Sequence, residues 1–347
     1  MVANVRILIT TDYLTPGDDI DLVLRDRGHH TIHSPAVGER PPGELARLLA
    51  DADAALVASE PITATMLDNA PALKVIARTG VGYESIDQDA AAVHGIYVCN
   101  TPGANAHAVA EMTMMPLLMC ARRVGETLHS VQHGQWPTHD TGELRASTLG
   151  VIGFGPIGRA VVELAHAFGM RIVASTNHPD PEYADQYDVT FTSLDDLLGT
   201  SDYVSLHARP HPGNARLINA RALGIMKDTA YLVNTSRGSL IDETALVDAV
   251  QAGTIAGAAL DVVDTEPLRI DSPLRGHPNI VVTSHLAGQT REARINASRV
   301  AAQQVLQALD GIEPPHAVNA GRVTRFRGSP ATANDSFTTL RAGSKSS

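Results

Sequence analysis

The 347-residue chain has few cysteines and no long apolar run, and each of these shortages excludes a class of protein. Its two cysteines, Cys99 and Cys120, are too few for the disulfide framework of a small secreted domain. No apolar run has the length of a transmembrane helix, and the N-terminal residues enter an aliphatic strand pattern without the features of a signal peptide. We therefore expect a cytoplasmic globular protein with no membrane partner.

Lysine is also scarce, since only Lys74, Lys227 and Lys345 are present, and arginine supplies nearly all the positive charge. The formal net charge is -11, which argues against a nucleic-acid partner. An anionic ligand must then be held by arginines placed at its site. No metal site is predicted.

Short aliphatic segments alternate with helical segments on both sides of Gly150, which is typical of α/β layering. The predicted strands are 6–10, 55–58, 74–77, 96–99, 171–174, 203–206, 231–234, 258–261 and 280–283. They predict two doubly wound parallel-sheet domains. A helix over 104–124 is expected between them, with a kink or an early stop at Pro116. From residue 321 to 347 the aliphatic residues almost disappear, which predicts a disordered tail.

A glycine-rich turn follows the aliphatic run that ends at Ile152. Gly153, Gly155 and Gly158 have the G-x-G-x-x-G spacing of a dinucleotide-binding loop, and Pro156 and Ile157 begin the following helix. The first glycine permits the tight turn, the second lets the backbone approach a pyrophosphate, and the third allows close contact between helix and strand. This segment predicts a cofactor site and hence an enzyme.

Three polar side chains follow predicted strands of the second half. Arg237 comes after 231–234, Glu266 after 258–261 and His285 after 280–283. The carboxyl ends of parallel strands meet at one edge of a sheet, where ligands of open α/β folds bind. A cation that holds a carboxylate and a histidine beside a carboxylate are the groups that hydride transfer to a 2-keto acid requires.

The chain resembles the D-isomer-specific 2-hydroxyacid dehydrogenase family, and most of all its D-3-phosphoglycerate dehydrogenase branch. The segments that carry the resemblance are 78–87, 100–105, 109–111, 153–158, those of Arg237, Glu266 and His285, and 317–319. The resemblance implies a Rossmann cofactor domain, residues 102–289, inserted in a flavodoxin-like substrate domain formed by 1–101 and 290–320. It also implies a homodimer, formed through the cofactor domain and the region 104–124.

The resemblance further implies roles for individual residues. Arg237 would hold the substrate carboxylate and keto oxygen, His285 would donate or accept the proton, and Glu266 would pair with His285. Asp261 would contact the nicotinamide carboxamide, and Thr235 would lie in the cofactor site.

Four more residues are candidates. The resemblance implies that the backbone N–H groups of Val81 and Gly82 cradle the substrate carboxylate. His207 matches a family position near the cofactor, although packing at a strand end explains it nearly as well. Arg78 could bind a substrate phosphate through its guanidinium, or it could be a solvated arginine at a strand end.

The loop expected to contact the adenosine ribose departs from the NAD pattern. Thr176, Asn177 and His178 include no acidic residue, although an acidic residue at this position would bind the ribose 2′-hydroxyl of NAD. These residues resemble the polar set of NADP-using glyoxylate/hydroxypyruvate reductases, and Arg209 stands where the family often has proline. The prediction is therefore NADP or NAD, with NADP favoured.

These observations predict an NAD(P)-dependent D-2-hydroxyacid dehydrogenase that acts on a small anionic 2-keto or 2-hydroxy acid, either phosphorylated or not. A 3-phosphoglycerate dehydrogenase is favoured over a hydroxypyruvate/glyoxylate reductase or an enzyme of phosphonate or phosphite compounds. An alternative of another class is an NAD(H)-sensing binding protein, like the transcriptional corepressors that resemble these dehydrogenases.

Overall fold

The computed structural model describes residues 5–36, 40–41 and 43–328. Internal contacts divide these residues into two compact units. The second unit is Asn105–Ala293, and the first is formed by the residues that precede and follow it. Every strand pairing in the two sheets is parallel.

The first unit contains a five-stranded sheet in the order β2-β1-β3-β4-β5, the flavodoxin-like order. Its strands are β1 (Arg6–Ile9), β2 (His30–His33), β3 (Ala54–Val57), β4 (Val75–Arg78) and β5 (Tyr97–Cys99). Its helices are α1 (Asp19–Asp26), α2 (Glu44–Ala50), α3 (Ala64–Asp68) and α4 (Gln88–Val93). Ile7 and Ile9 pack in one apolar cluster and Leu8 in another, so the sheet is covered on both faces.

The second unit contains a seven-stranded sheet in the order β12-β11-β10-β9-β6-β7-β8. Its strands are β6 (Thr148–Ile152), β7 (Arg171–Ser175), β8 (Val189–Phe191), β9 (Tyr203–Leu206), β10 (Tyr231–Asn234), β11 (Gly257–Leu260) and β12 (Ile280–Val282). Its helices are α5 (Ala106–Ala121), α6 (Val124–Gln132), α7 (Pro156–Ala167), α8 (Pro181–Gln186), α9 (Leu194–Thr200), α10 (Ala220–Ile225) and α11 (Glu243–Gln251). The last long helix is α12 (Arg291–Leu309). Counted from β6, the strand order is that of a Rossmann fold with one added strand, and the predicted fold class is confirmed.

The strand reversal places a crevice beside β6. From β6 the sheet extends on one side through β7 and β8, whereas β9 pairs with β6 on its other side. Ligands of open α/β sheets bind at such a switch point, outside the carboxyl ends of the strands. The loops after β6, β7, β9, β10 and β11 therefore position the candidate site.

The predicted helix over 104–124 is two helices, and Pro116 does not stop the first. Helix α5 continues through Pro116 and ends at Ala121, and the break comes at Arg123, whose φ is +49°. Proline removes one N–H bond within a helix. Buried residues of α5 before and after Pro116 share one apolar cluster with residues of α7, and this packing holds the helix through Pro116.

The structure also differs from the predicted tail at residues 321–328. A short 3-10 helix covers Ala320–Arg322, and the ring of Phe326 stacks on Tyr97 with centroids 4.5 Å apart. Arg327 donates to the carbonyls of Ala70 and Leu73. The aromatic side chain and these bonds order a segment that its composition alone marked as disordered. Residues 329–347 lie outside the described residues.

Within the described part of the chain, no helix has both the length and the apolar character needed to cross a bilayer.

Candidate active site

Two of the three motif glycines are required by close packing. Gly153 has φ +97°, and a Cβ added there would lie 2.6 Å from the backbone nitrogen of Ala208. At Gly158 an added Cβ would overlap the carbonyl group of Gly153. The turn and the close approach of α7 to β6 therefore both depend on glycine.

Gly155 differs from its neighbours because its surroundings are open. A Cβ added at Gly155 would meet nothing within 4 Å. Gly155 is also the N-cap of α7, where Pro156 begins the helix and no side chain caps the first turn. The N–H groups at the start of a helix need an acceptor and carry the positive end of its dipole. This end of α7 is therefore suited to an anion.

The residues after β7 are polar. Thr176 is half-buried, and its Oγ1 accepts a hydrogen bond of 3.1 Å from the backbone N–H of His178. Asn177 and His178 are exposed. No acidic side chain stands at these three positions.

An acidic residue nevertheless lies further along the same loop. Asp180 caps α8, and its Oδ2 lies 2.8 Å from Nη1 of Arg159 in α7. The Arg159 guanidinium also lies over the ring of Tyr183, 5.3 Å from its centroid. An arginine and its paired carboxylate therefore border the loop after β7.

His207 follows β9. Its Nε2 lies 2.8 Å from Ser205 Oγ, and desolvation lowers the pKa of His207 to about 3, so its ring is neutral at neutral pH. Its buried Nδ1 makes no hydrogen bond to any described residue. Arg209 is exposed two residues later, and its carbonyl accepts a bond of 2.9 Å from Asn214.

The loop after β10 is fixed by Asn234, which is fully buried. Its side chain donates to the carbonyl of Arg237 at 2.8 Å and accepts from the N–H of Ser236 at 2.9 Å. A Cβ added at Gly238 would overlap the backbone at 263–264. The turn that carries Arg237 therefore touches the loop after β11.

Thr235, in the same loop, is held by helix α5. Its hydroxyl lies 3.0 Å from that of Thr113, which donates to the carbonyl of Val109 at 2.8 Å. Both threonines are buried.

Asp261 follows β11 and is 3% exposed. Its Oδ1 accepts from the hydroxyl of Thr283 at 2.5 Å and from the N–H of Leu286 at 2.9 Å. Its Oδ2 accepts from the N–H of Ala287 at 2.8 Å. The backbone N–H of His285 donates to the Asp261 carbonyl at 2.8 Å. Asp261 thus holds the loop after β12 at four points.

His285 and Glu266 are in contact. His285 Nδ1 lies 2.7 Å from Glu266 Oε2, and Oε1 of the same carboxylate accepts from the N–H of Val263 at 3.3 Å. The His285 side chain is 46% exposed, and its Nε2 makes no hydrogen bond within the described ranges. The ring is therefore oriented through one nitrogen and accessible through the other.

In the first unit, the loop after β4 presents two backbone N–H groups. The carbonyl of Val81 accepts from Asn100 Nδ2 at 2.7 Å. The N–H groups of Val81 and Gly82 donate to no acceptor among the residues that the structure describes. A Cβ added at Gly80 would overlap the guanidinium of Arg78, so glycine lets that side chain lie over the loop. Adjacent backbone N–H groups beside an arginine suit an anion.

Known proteins resemble this chain in sequence and fold. Residues 114–287 match the family model described as D-isomer specific 2-hydroxyacid dehydrogenase, NAD binding domain. A glyoxylate reductase of Aeropyrum pernix is 41% identical over 267 residues, which are 74% of this chain and 80% of that protein.

The chain belongs to the D-isomer specific 2-hydroxyacid dehydrogenase family. A D-3-phosphoglycerate dehydrogenase of Mycobacterium tuberculosis is 39% identical over 281 residues, which are 80% of this chain and 53% of that protein. The crystal structure of the TT0316 protein from Thermus thermophilus superposes with a TM-score of 0.81 at 38% identity, over 90% of this chain and 99% of that one.

Membership of this dehydrogenase family confirms the predicted enzyme class. The protein is an oxidoreductase of hydroxy acids that uses a nicotinamide cofactor, and its second unit contains the NAD-binding domain of the family. The resemblance drawn from the sequence motifs is likewise confirmed.

The residues present fit the cofactor of this dehydrogenase family. The open surroundings of Gly155 and the uncapped first turn of α7 provide space and N–H donors for a pyrophosphate. Within the described ranges, no group of three histidine, cysteine or acidic side chains could hold a metal ion.

Sequence reasoning missed several residues that shape this dehydrogenase site. Thr283 and Asn234 fix loops that carry candidate residues, and Arg159 pairs with Asp180 beside the β7 loop. A serine, threonine or asparagine at the end of a strand was the available signal for the first two. No local sequence pattern indicates the ion pair between Arg159 and Asp180.

Proposed function

We propose that the protein transfers a hydride between a nicotinamide and C2 of a small D-2-hydroxy or 2-keto acid, with His285 as the proton donor in reduction. The observation that carries this proposal is the contact of 2.7 Å between His285 and Glu266, together with the exposure of the ring. Glu266 accepts from Nδ1, which leaves the proton on Nε2 available to the developing alkoxide.

Arg237 is the proposed partner of the substrate carboxylate and keto oxygen. Its turn is tied by Asn234 and lies against the loop after β11, which carries Glu266. A guanidinium held in one place would polarise the keto group and stabilise negative charge as it develops there. His207 and Thr235 remain proposed cofactor-site residues, and when bound the nicotinamide supplies or takes up the hydride.

For the first unit we propose that the N–H groups of Val81 and Gly82 bind the substrate carboxylate and that Arg78 binds a second anionic group. The two N–H groups have no acceptor among the described residues, and the Arg78 side chain lies over the same loop. A phosphate suits this arginine because guanidinium binds it through two parallel hydrogen bonds. The D-3-phosphoglycerate dehydrogenase reaction is accordingly our first proposal.

Glyoxylate or hydroxypyruvate reduction is the second candidate, because the Aeropyrum relative named glyoxylate reductase has the higher identity of the two relatives described above. Turnover of 3-phosphohydroxypyruvate, hydroxypyruvate and glyoxylate distinguishes the candidates. A phosphoglycerate enzyme has its highest kcat/KM with the phosphorylated acid, and Arg78→Ala lowers that value while sparing glyoxylate. Equal values for all three acids, unaffected by Arg78→Ala, would contradict the first proposal.

For the cofactor we propose that NADPH is accepted and preferred. Thr176, Asn177 and His178 present no carboxylate to repel a 2′-phosphate. Asp180, the nearest acidic residue along the loop, has its charge paired with Arg159. Arg209 and His178 are the proposed phosphate partners, since both are exposed cationic or hydrogen-bonding side chains near strand ends.

We also propose a homodimer formed through α5 and α6. Met114 and Leu117 are buried in the unit's own core, which removes them from the predicted contact surface. Met115, Leu118, Leu128 and Val131 are exposed apolar residues on these two helices. Met115 and Leu118 lie three residues apart on α5, and Leu128 and Val131 lie three apart on α6, so each pair shares one face of its helix. Exposed apolar residues paired in this way favour a protein–protein contact.

A further inference from the structure

The carboxylate of Asp261 accepts hydrogen bonds from other residues of the same chain. Of the roughly four lone-pair positions of a carboxylate, three accept hydrogen bonds from Thr283, Leu286 and Ala287. These three residues flank His285 on both sides. The side chain is 3% exposed, so water does not compete for these bonds.

The loop that Asp261 holds has a backbone conformation that side chains rarely adopt. His285 has φ +58°, in the left-handed region. A residue other than glycine stays there only when its surroundings fix it. The fixing contacts are the bond from the His285 N–H to the Asp261 carbonyl and the three bonds to the carboxylate. Gln289 adds a bond of 2.6 Å to the His285 carbonyl.

We infer that Asp261 is a positioning residue that keeps the His285 ring in contact with Glu266 and aimed at the substrate. The inference rests on the proposed role of His285 as proton donor. It assigns the Asp261 carboxylate to the backbone of 283–287, whereas the family resemblance implies the nicotinamide carboxamide as its partner. A negatively charged acceptor is suited to this task because it takes two N–H groups and a hydroxyl at once.

The variant Asp261→Asn tests this assignment. It keeps the shape of the side chain but leaves one acceptor oxygen, and its NH₂ group faces a backbone N–H donor. We expect the amide hydrogens of Leu286 and Ala287 to exchange much faster than in the unaltered protein, measured by hydrogen–deuterium exchange without substrate. We also expect kcat to fall by about 10²-fold, the scale of a misplaced catalytic group, with the Kd of NADH and NADPH unchanged within about twofold.

A matched variant, Thr283→Val, removes one donor to the Asp261 carboxylate and leaves its two backbone donors, the N–H groups of Leu286 and Ala287, in place. It should lower kcat by less than Asp261→Asn and speed amide exchange by less, and it remains informative if Asp261→Asn fails to fold. Unchanged exchange in both variants, or a loss of cofactor affinity in Asp261→Asn with exchange unaltered, would overturn the inference. Amide exchange does not depend on turnover, so a failure of the proposed reaction would appear separately, as a lack of activity in the unaltered enzyme.

Discussion

His285 Nδ1 lies 2.7 Å from Oε2 of Glu266, while nearly half of the His285 side chain is exposed. The two residues follow different strands, β12 and β11, and meet because these strands pair in parallel register. The carboxylate contacts one ring nitrogen and therefore fixes the orientation of the ring. The rate of the reaction should therefore depend on Glu266.

Glu266→Gln should lower kcat in both directions of the reaction, by up to about 10²-fold, the scale of a misplaced catalytic group. The amide keeps the shape of the side chain but replaces the carboxylate that lies 2.7 Å from Nδ1, so the ring is held less firmly for proton transfer. The measurement is kcat for reduction and for oxidation, with Glu126→Gln on α6 as a variant that removes the same charge elsewhere. Values of kcat that match those of the unaltered enzyme would make Glu266 a structural residue.

Thr176→Asp should reverse the preference between cofactors. The new carboxylate can bind the ribose diol of NADH and repels the 2′-phosphate of NADPH, an effect of about 1–3 kcal/mol in the ratio of the two kcat/KM values. Thr190→Asp, on the edge strand β8, adds the same charge as a control. A strong preference for NADH in the unaltered enzyme, or a ratio that Thr176→Asp leaves unmoved, would show that cofactor selection lies elsewhere.

Leu118→Glu should dissociate the proposed dimer. Leu118 is 39% exposed on α5, so a glutamate there costs the fold little but places a charge in an apolar contact. Light scattering at micromolar concentration should give a dimer mass for the unaltered chain and a monomer mass for the variant. Leu22→Glu, at an exposed leucine of α1, should leave the mass unchanged. A monomer mass for the unaltered chain would contradict the dimer.

Asp21 should contribute to stability in a pH-dependent way. Burial alone would raise its pKa, but hydrogen bonds from Thr31, His33 and the N–H of Gly17 lower it to about 2, below the ordinary 3.8. Because the folded-state pKa is depressed, the stabilisation is present above pH ~4 and is lost as pH falls toward ~2, and its size is about 2 kcal/mol. The free energy of unfolding relative to Asp21→Asn, measured by urea denaturation, should shrink over that window. A constant difference would refute this account.

The sequence predicts most of the fold because a strand that is buried on both faces has a continuous run of apolar residues, as in β3 and β10. The strands β2 and β8 escaped prediction because they lie at sheet edges, where polar residues such as His30 and Thr190 are tolerated. The break of the 104–124 helix was misplaced because packing on α7 outweighs the cost of Pro116.

Some residues of the candidate site could be predicted from the sequence and others could not. Residues that follow strands, such as Arg237 and His285, were predictable because parallel strands bring their carboxyl ends together. The bonds from Thr283 to Asp261 and from Arg159 to Asp180 join residues 22 and 21 positions apart in the chain, which no local pattern specifies. Tertiary contacts of this kind fix the positions of the loops that carry the predicted residues.

The most direct test of the central claim is the turnover of 2-keto acids by the unaltered enzyme and by His285→Ala, with NADH and NADPH measured separately. We predict that the unaltered enzyme reduces at least one small 2-keto acid. We predict that His285→Ala lowers kcat by ~10²–10⁴-fold, the range for loss of a general acid, while the Kd of the cofactor stays nearly constant. Undiminished turnover in His285→Ala, or cofactor binding without turnover of any acid by the unaltered enzyme, would contradict the account.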